Sequence, residues 1–235
     1  MSLPKYVLDC YLKEYDTTVK LANEKYIVLE DTIFYPDSGG QPHDEGIITK
    51  KDGEEYKVVY VGTFSGEISH EVDRIGLKQG DNVHLSLNWE RRYTLMKMHT
   101  AAHILSRILF EEAGANTSGN QLGLDRSRID FTLEKFEREK IPCWIKKANK
   151  YIAEGAKVVK SEMLTEEAVK IPGFAGPSPH LVKDLVTLRV VKIGNMDAQP
   201  CGGTHLDNIS EIGEIVLVKA ENKGKNNRRI YYTIR

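Results

Sequence analysis

Two pairs of metal-ligating residue types, separated by 102 positions, constrain this chain more than any other feature. His99 and His103 stand four residues apart in Lys97-Met98-His99-Thr100-Ala101-Ala102-His103. Cys201 and His205 stand four apart in Pro200-Cys201-Gly202-Gly203-Thr204-His205. On a helix, positions i and i+4 share a face, so both imidazoles of the first pair can reach one ion. Pro200, Gly202 and Gly203 favour a turn for the second pair. Three nitrogens and one thiolate suit a tetrahedral zinc ion, with bonds of roughly 2.0–2.3 Å. Either pair alone is ordinarily explained by satisfied core histidines. Together they take four of the chain's 3 cysteines and 7 histidines, and that conjunction carries the reading. The donor set admits a closed structural site. It equally admits a catalytic one, in which a member of the Cys201/His205 pair gives way to water.

A fold that joins these pairs must also accommodate a change of period at Trp89. Up to Asn88 the chain reads as short β runs: 26–29, 46–49, 56–61, 67–72 and 82–87. Turn signals separate them at Asp37-Ser38-Gly39-Gly40, Lys51-Asp52-Gly53, Phe64-Ser65-Gly66 and Gln79-Gly80-Asp81. Many short strands at close spacing predict a small barrel-like domain, residues 1–89. From 90 to 112, Leu95, Met98, Ala102, Leu105, Ile108 and Leu109 recur at three- and four-residue steps, which is helical periodicity ended by Gly114. Beyond it the sequence predicts a strand at 127–133 and a helix from about Glu134 or Pro142 to Val158. A short helix at 165–170, a Pro/Gly-rich loop at 171–179, and strands at 185–193, 213–220 and 229–235 follow. Residues 90–235 therefore read as an α+β domain with helices on an antiparallel sheet, and the whole chain as α+β.

Composition narrows the class. The chain has 235 residues, 40% hydrophobic and 29% charged, as in an ordinary globular protein. Its apolar runs fall far short of the roughly 20 residues that span a bilayer, and no signal-peptide pattern opens it, so no membrane partner is expected. Three cysteines at unrelated spacings imply no disulfide framework. A reducing cytoplasm is the expected location, and there Cys201 stays available as a thiolate. Net charge is −1, yet Lys219, Lys223, Lys225, Arg228, Arg229 and Arg235 face only Glu221 near the C-terminus. Lys146, Lys147, Lys150, Lys157 and Lys160 form a second cluster. Such clusters read as solvated faces or as phosphate-gripping patches. Tyr11, Tyr15, Tyr35, Tyr231 and Tyr232 read as packing residues rather than stacking platforms.

The segment from Thr32 to Gly46 is the other unusual stretch. Adjacent glycines at 39 and 40 let backbone approach a ligand or, more commonly, form a hairpin turn. No Gly-Lys-Ser/Thr follows, so it is not a phosphate loop, and the chain has no nucleotide-binding fingerprint.

At this point the residues add up to a family. Thr32-x-Phe34-Tyr35-Pro36-x-Ser38-Gly39-Gly40-Gln41-Pro42-x-Asp44-x-Gly46 resembles the glycine-rich motif in the editing domain of alanyl-tRNA synthetase. His99-x-x-x-His103 and Cys201-Gly202-Gly203-Thr204-His205 resemble that domain's two zinc motifs, in the same order. Gly119-Asn120-Gln121-Leu122-Gly123, Ser127-Arg128-Ile129-Asp130-Phe131, Glu214-Ile215 and Arg228-Arg229-Ile230 resemble the stretches between and after them. Because the chain begins almost at the barrel, the match is to the freestanding AlaX-type editing proteins that keep the glycine motif. Ala102 departs from the Thr that many synthetase domains carry before the second His. The resemblance implies a barrel followed by an α+β domain with the active site between them, one Zn2+ per chain, and tRNA as the partner. It implies deacylation of mischarged tRNA(Ala), chiefly Ser-tRNA(Ala) and with it Gly-tRNA(Ala).

The residues expected at that site are His99, His103, Cys201 and His205 for the metal, and Thr32, Gly40, Gln41, Asn120 and Gln121 for the substrate. No side chain is assigned as the catalytic group. A water activated by the zinc is the expected nucleophile, although the ion's main task could equally be to orient the substrate. Thr32 is the residue expected to bond the serine hydroxyl. Other readings stay open: editing of another mischarged tRNA such as Ser-tRNA(Thr), a non-catalytic zinc-containing RNA-binding module, and a metallohydrolase of small esters. The last lacks an HExxH to supply a base beside the metal. Oligomeric state is not readable from these residues.

Overall fold

A computed structural model describes residues 4–134, 137–171 and 186–235. They form two compact units, Met1–Leu95 and Met96–Arg235. The first unit opens with the short helix α1 (Lys5–Leu8). It continues through β1 (Glu14–Asn23), β2 (Tyr26–Leu29), β3 (Gly46–Lys50), β4 (Glu55–Phe64), β5 (Glu67–Val72) and β6 (Asn82–Leu87). These six strands close a barrel in the order β1-β2-β5-β4-β3-β6, with every pair antiparallel.

Alternation explains the closure. In β4, Tyr56, Val58 and Val61 point inward, and in β6, Val83 and Leu85 do. They join Val19, Ile27, Ile48 and Val72 in one core, each such side chain contributing roughly 1.5–3 kcal/mol on burial. Register shifts at Val19/Leu21 and Val58/Tyr60 bend the strands that must curve most. β1 has no counterpart among the predicted strands. Its sequence is largely polar because only Val19 is fully inside; the rest of the strand is exposed or half-buried.

The segment joining β2 to β3 holds the glycine-rich stretch. Gly39 and Gly40 take φ of +58° and +80°, and Ser38 and Gln41 exchange two backbone hydrogen bonds across them. That is a tight two-residue hairpin, which requires both central residues in the left-handed region. Gly46 is glycine for another reason: a Cβ there would lie 2.2 Å from the Ser86 carbonyl oxygen of the neighbouring strand. The stretch is tied down by Arg92, a fully buried arginine in the first turn of helix α2 (Trp89–Ala113). Its guanidinium donates to both carboxylate oxygens of Asp44 and to the carbonyls of Cys10 and Ile33. Asp44 also accepts from the Tyr35 amide.

Helix α2 runs on into the second unit, where Met98, Ala101, Ile104, Leu105, Ile108 and Leu109 are buried. β7 (Asn116–Gln121) and β8 (Ser127–Thr132) follow, then α3 (Ile141–Glu154), β9 (Val158–Leu164), α4 (Thr165–Ala168), β10 (Thr187–Ile193), β11 (Asp197–Pro200), β12 (Ile215–Asn222) and β13 (Asn227–Ile234). Two antiparallel sheets result, one in the order β12-β13-β8-β7 and one β11-β10-β9. The fold is thus α+β with an N-terminal barrel. α3 starts at Ile141 with Pro142 in its first turn and stops at Gly155, φ +71°, so Val158 opens a strand instead of closing the helix. β7, β9 and β11 lie outside the predicted set. β7 carries no apolar alternation, β9 is an edge strand with a polar centre, Lys160-Ser161-Glu162, and only Val158 buried, and β11 is four residues ending in proline. Residues 172–179 of the predicted Pro/Gly loop lie outside the described residues. Among the described residues no helix is long and apolar enough to cross a membrane.

Candidate metal centre

His99 and His103 lie one turn apart on α2, on a stretch held by burial of Leu95, Met98 and Ala102 beside them. Cys201 and His205 occupy the loop that leaves β11. That loop is anchored where the Cys201 amide donates to the Arg189 carbonyl, while the Arg189 guanidinium donates to the carbonyls of Cys201 and Gly203. The four side chains converge: their ligand atoms all lie within 4.8 Å of one another. Cys201 Sγ is 3.3 Å from His205 Nε2 and 3.5 Å from His99 Nε2. A tetrahedral zinc with bonds of roughly 2.3 Å to sulfur and 2.05 Å to nitrogen separates those atoms by ~3.5 Å. Donor types, number and spacing therefore fit the ion that the sequence predicts.

Hydrogen bonds behind the ligands select the imidazole tautomers. Thr100 donates its hydroxyl proton to the Met96 carbonyl, 2.9 Å away. Its oxygen is left to accept, from His205 Nδ1–H at 3.2 Å and from the Leu206 amide at 3.3 Å. His205 Nε2 is thereby free to face the cluster. His103 Nδ1 donates to Asp197 Oδ2 at 3.2 Å, which turns its Nε2 the same way. Asp197 is itself buried and accepts from Gln199 at 3.2 Å.

The electrostatics suit a thiolate. Burial alone would raise the Cys201 thiol, but the charges of His99 and His205 and hydrogen bonds from His103 and His205 outweigh it and hold it well below the usual range. The Gly203 amide also points at Sγ, 3.4 Å away. Burial, followed by repulsion from His99, drives His205 well below the ordinary imidazole range. His103 moves the other way, to about 10: burial lowers it, and Asp197 and Cys201 together raise it further. Asp197, Thr100 as an acceptor, and Arg189 are functional neighbours that sequence reasoning missed. Thr100, inside the first pair, and Asp197, four residues before Cys201, lay near enough to the motifs to be suspected.

The other predicted residues are placed as follows. Thr32, just after β2, is 5% exposed, with its hydroxyl 2.8 Å from His70 Nε2. Gly40 sits in the hairpin turn, and Gln41 beside it is fully buried. Asn120 and Gln121 are successive residues of β7, so their side chains point to opposite faces of the sheet. Asn120 pairs across from Ile129 on the buried side, and its Oδ1 is buried with no hydrogen-bond partner. Gln121 is exposed on the opposite side and accepts from Arg128 at 3.2 Å.

The basic clusters are less free than their sequence implies. Arg228 is buried and caps the carbonyls of Gly224, Asn227 and Glu134. Arg229 pairs with Asp130, Lys219 with Glu221, Lys147 with Glu112, and Lys160 with Asp207. Tyr232 is a core residue whose hydroxyl donates to the Met98 carbonyl. Tyr231 is half-buried and flanked by Arg126, Lys219 and Arg229, all within 5.8 Å of its ring.

The chain is similar to known proteins along nearly its whole length. Residues 188–231 match the family described as the threonyl and alanyl tRNA synthetase second additional domain, and residues 7–91 match the class II (A) tRNA synthetases. An "Alanyl-tRNA editing protein AlaX-M" from Methanosarcina acetivorans is 45% identical, covering 97% of each chain. A protein of the same name from Saccharolobus solfataricus is 34% identical over 98% of each. An "Alanine--tRNA ligase" from Pyrococcus furiosus is 36% identical over 92% of this chain but only 24% of the ligase.

Proposed function

The chain belongs to the alanyl-tRNA editing protein family, and on that premise we propose that it deacylates mischarged tRNA(Ala), chiefly Ser-tRNA(Ala) with Gly-tRNA(Ala) as a further substrate, using a zinc site. The observation that carries this reading is the convergence of His99, His103, Cys201 and His205 from segments far apart in sequence. When bound, a zinc ion supplies Lewis acidity toward the ester carbonyl and lowers the pKa of water toward about 7. His99, His103, Cys201 and His205 would hold that ion. Thr100 and Asp197 set which nitrogen of His205 and His103 faces the cluster, and Arg189 clamps the loop that presents Cys201.

The selection problem is physical. A pocket sized for alanine cannot firmly reject serine, and one small group is worth only about 1–3 kcal/mol, so a second hydrolytic site is needed. That site must accept serine through its hydroxyl and spare alanine, which would leave a buried polar group unpaired. We assign that contact to Thr32, with Gln41 as a neighbour. Lys146, Lys150 and the cations around Tyr231 are the proposed contacts to tRNA phosphates, which position without reading sequence.

The test is deacylation of Ser-tRNA(Ala) and Ala-tRNA(Ala) by the purified protein, with and without a chelator. Rapid, chelator-sensitive loss of serine with alanine spared is expected. A second reading is favoured by the completeness of the donor set, because four protein ligands also describe a closed structural site. In that reading the protein is an RNA-binding module, and zinc-loaded protein would hydrolyse neither ester.

A further inference from the structure

His70, buried in the barrel and outside every motif, determines what Thr32 can recognise. Its Nδ1 lies 2.9 Å from the Ile27 carbonyl oxygen and its Nε2 lies 2.8 Å from Thr32 Oγ1. A carbonyl oxygen only accepts, so Nδ1 carries a proton. Burial pushes His70 down to about 4, so near neutral pH the ring carries that proton alone. Nε2 is then an acceptor, and the Thr32 hydroxyl must donate to it. The Phe34 amide donates to the same Thr32 oxygen at 3.1 Å. Thr32 has thus spent its only proton and one lone pair, and has one acceptor position left. The Phe34 ring packs edge-on to His70, 5.5 Å between centroids, and holds the imidazole in place. Thr32 also lines an open cleft of about 500 Å3, shared with Leu29, Asp31 and Ile68.

We propose that His70 is a positioning residue that locks the Thr32 hydroxyl as a pure hydrogen-bond acceptor, so that the editing site selects aminoacyl esters whose side chain donates a hydrogen bond. The proposal rests on Thr32 as the serine contact. It goes beyond that reading by assigning the polarity of the contact. Size and the mere presence of an electronegative atom are then insufficient. One such bond lost, with the acceptor left unsatisfied, corresponds to about tenfold to a hundredfold in rate.

Fluoroalanine supplies the probe, because its fluorine nearly matches the serine hydroxyl in size and cannot donate. The purified protein is assayed on seryl-, alanyl- and fluoroalanyl-tRNA(Ala). Fluoroalanyl ester spared like alanyl is expected, and hydrolysis as fast as seryl would overturn the proposal. Two variants bear on His70 itself. His70→Asn keeps an amide donor toward Ile27 but is too short to reach Thr32, so the seryl/fluoroalanyl rate ratio should fall about tenfold or more. His70→Gln returns an acceptor to Thr32 and should keep the ratio within a few-fold of wild type. Imidazole 15N NMR of the wild-type protein reads the tautomer directly, whether or not the variants fold. A proton on Nε2 would refute the lock. Thr32→Val separates the two levels of argument. An unchanged Ser/Ala ratio there removes Thr32 as the serine contact and the proposal with it. A collapsed Ser/Ala ratio in Thr32→Val with an unchanged seryl/fluoroalanyl ratio in His70→Asn sinks only the role of His70.

Discussion

Asp197→Asn tests whether the metal site is tuned from behind its ligands. The carboxylate is buried, 3.2 Å from His103 Nδ1 and 3.2 Å from Gln199 Nε2. Asparagine keeps the size and removes the charge that holds His103 with Nε2 toward the cluster. Loss of such an outer partner weakens metal binding by about 10–100-fold. At 1.4 kcal/mol per decade, that is about 1.4–2.7 kcal/mol. Zinc that binds only the folded chain stabilises it by RT ln(1 + [Zn]/Kd), so at saturating zinc the same amount leaves the folded state. With about 2–4 °C of melting temperature per kcal/mol for a chain of this size, the zinc-dependent increment in Tm should shrink by roughly 3–10 °C. Competition against a chromophoric chelator gives Kd, and thermal unfolding with excess zinc and with chelator gives the increment. An unchanged Kd together with an unchanged increment would refute the argument. A uniform drop in Tm with and without zinc would mean that Asp197 serves the fold and not the metal.

Other variants probe other links. Cys201→Ala should lower zinc occupancy, read by elemental analysis, and abolish deacylation; full activity would sink the metal assignment. Removing one partner of the buried Arg92–Asp44 pair, as in Asp44→Ala, should cost about 3–5 kcal/mol in denaturant unfolding, because it strands a fully buried guanidinium. His70 has its folded pKa depressed to about 4 from 6.5. Its contribution is therefore fully present above pH 6.5 and is lost as pH falls through that window to 4, since only the unfolded chain takes up the proton there. The loss is at most about 3 kcal/mol at 1.36 per unit. Unfolding measured with chelator present should show wild type losing more stability between pH 6.5 and 4 than His70→Asn; parallel curves would contradict it. Affinity for tRNA should fall steeply with salt, and a flat response would count against the lysine contacts.

What could be read in advance divides by the range of the interaction that encodes it. The strands β2, β5 and β6 and the helix α2 were legible because each repeats its apolar residues at its own period. β1 and β7 were not, because a strand packed mainly at the margin of a core keeps few buried positions: Val19 is the only fully buried residue of β1, and β7 has none. The four residues of the His/Cys cluster were legible for a related reason. Two donors one helical turn apart, or either side of a Gly-Gly turn, leave a local spacing in the sequence. Asp197, Thr100, Arg92 and His70 act on partners that local spacing does not link to them. Asp197 reaches back 94 positions to His103, Thr100 reaches forward 105 to His205, and His70 lies 38 beyond Thr32. No local period marks such pairs.

A third kind of information was absent even in principle. In the sequence, Thr32 is a hydroxyl that can donate or accept, and either role satisfies a serine. Its polarity follows only from the chain of obligations that begins at the Ile27 carbonyl, passes through both nitrogens of His70, and ends at the Thr32 oxygen. Each link in that chain is forced by the one before it, because a carbonyl has no proton to give and a neutral imidazole has just one. Moving the starting point should therefore reverse the outcome. If Ile27 were not paired to His70, the ring could adopt the other tautomer and donate from Nε2. Thr32 would then turn its own proton outward and admit acceptor side chains. In His70→Asn, which frees the Thr32 proton, hydrolysis of the fluoroalanyl ester should accordingly rise relative to the seryl ester. A ratio that stays at the wild-type value in that folded variant would show that the hydroxyl was never constrained by His70.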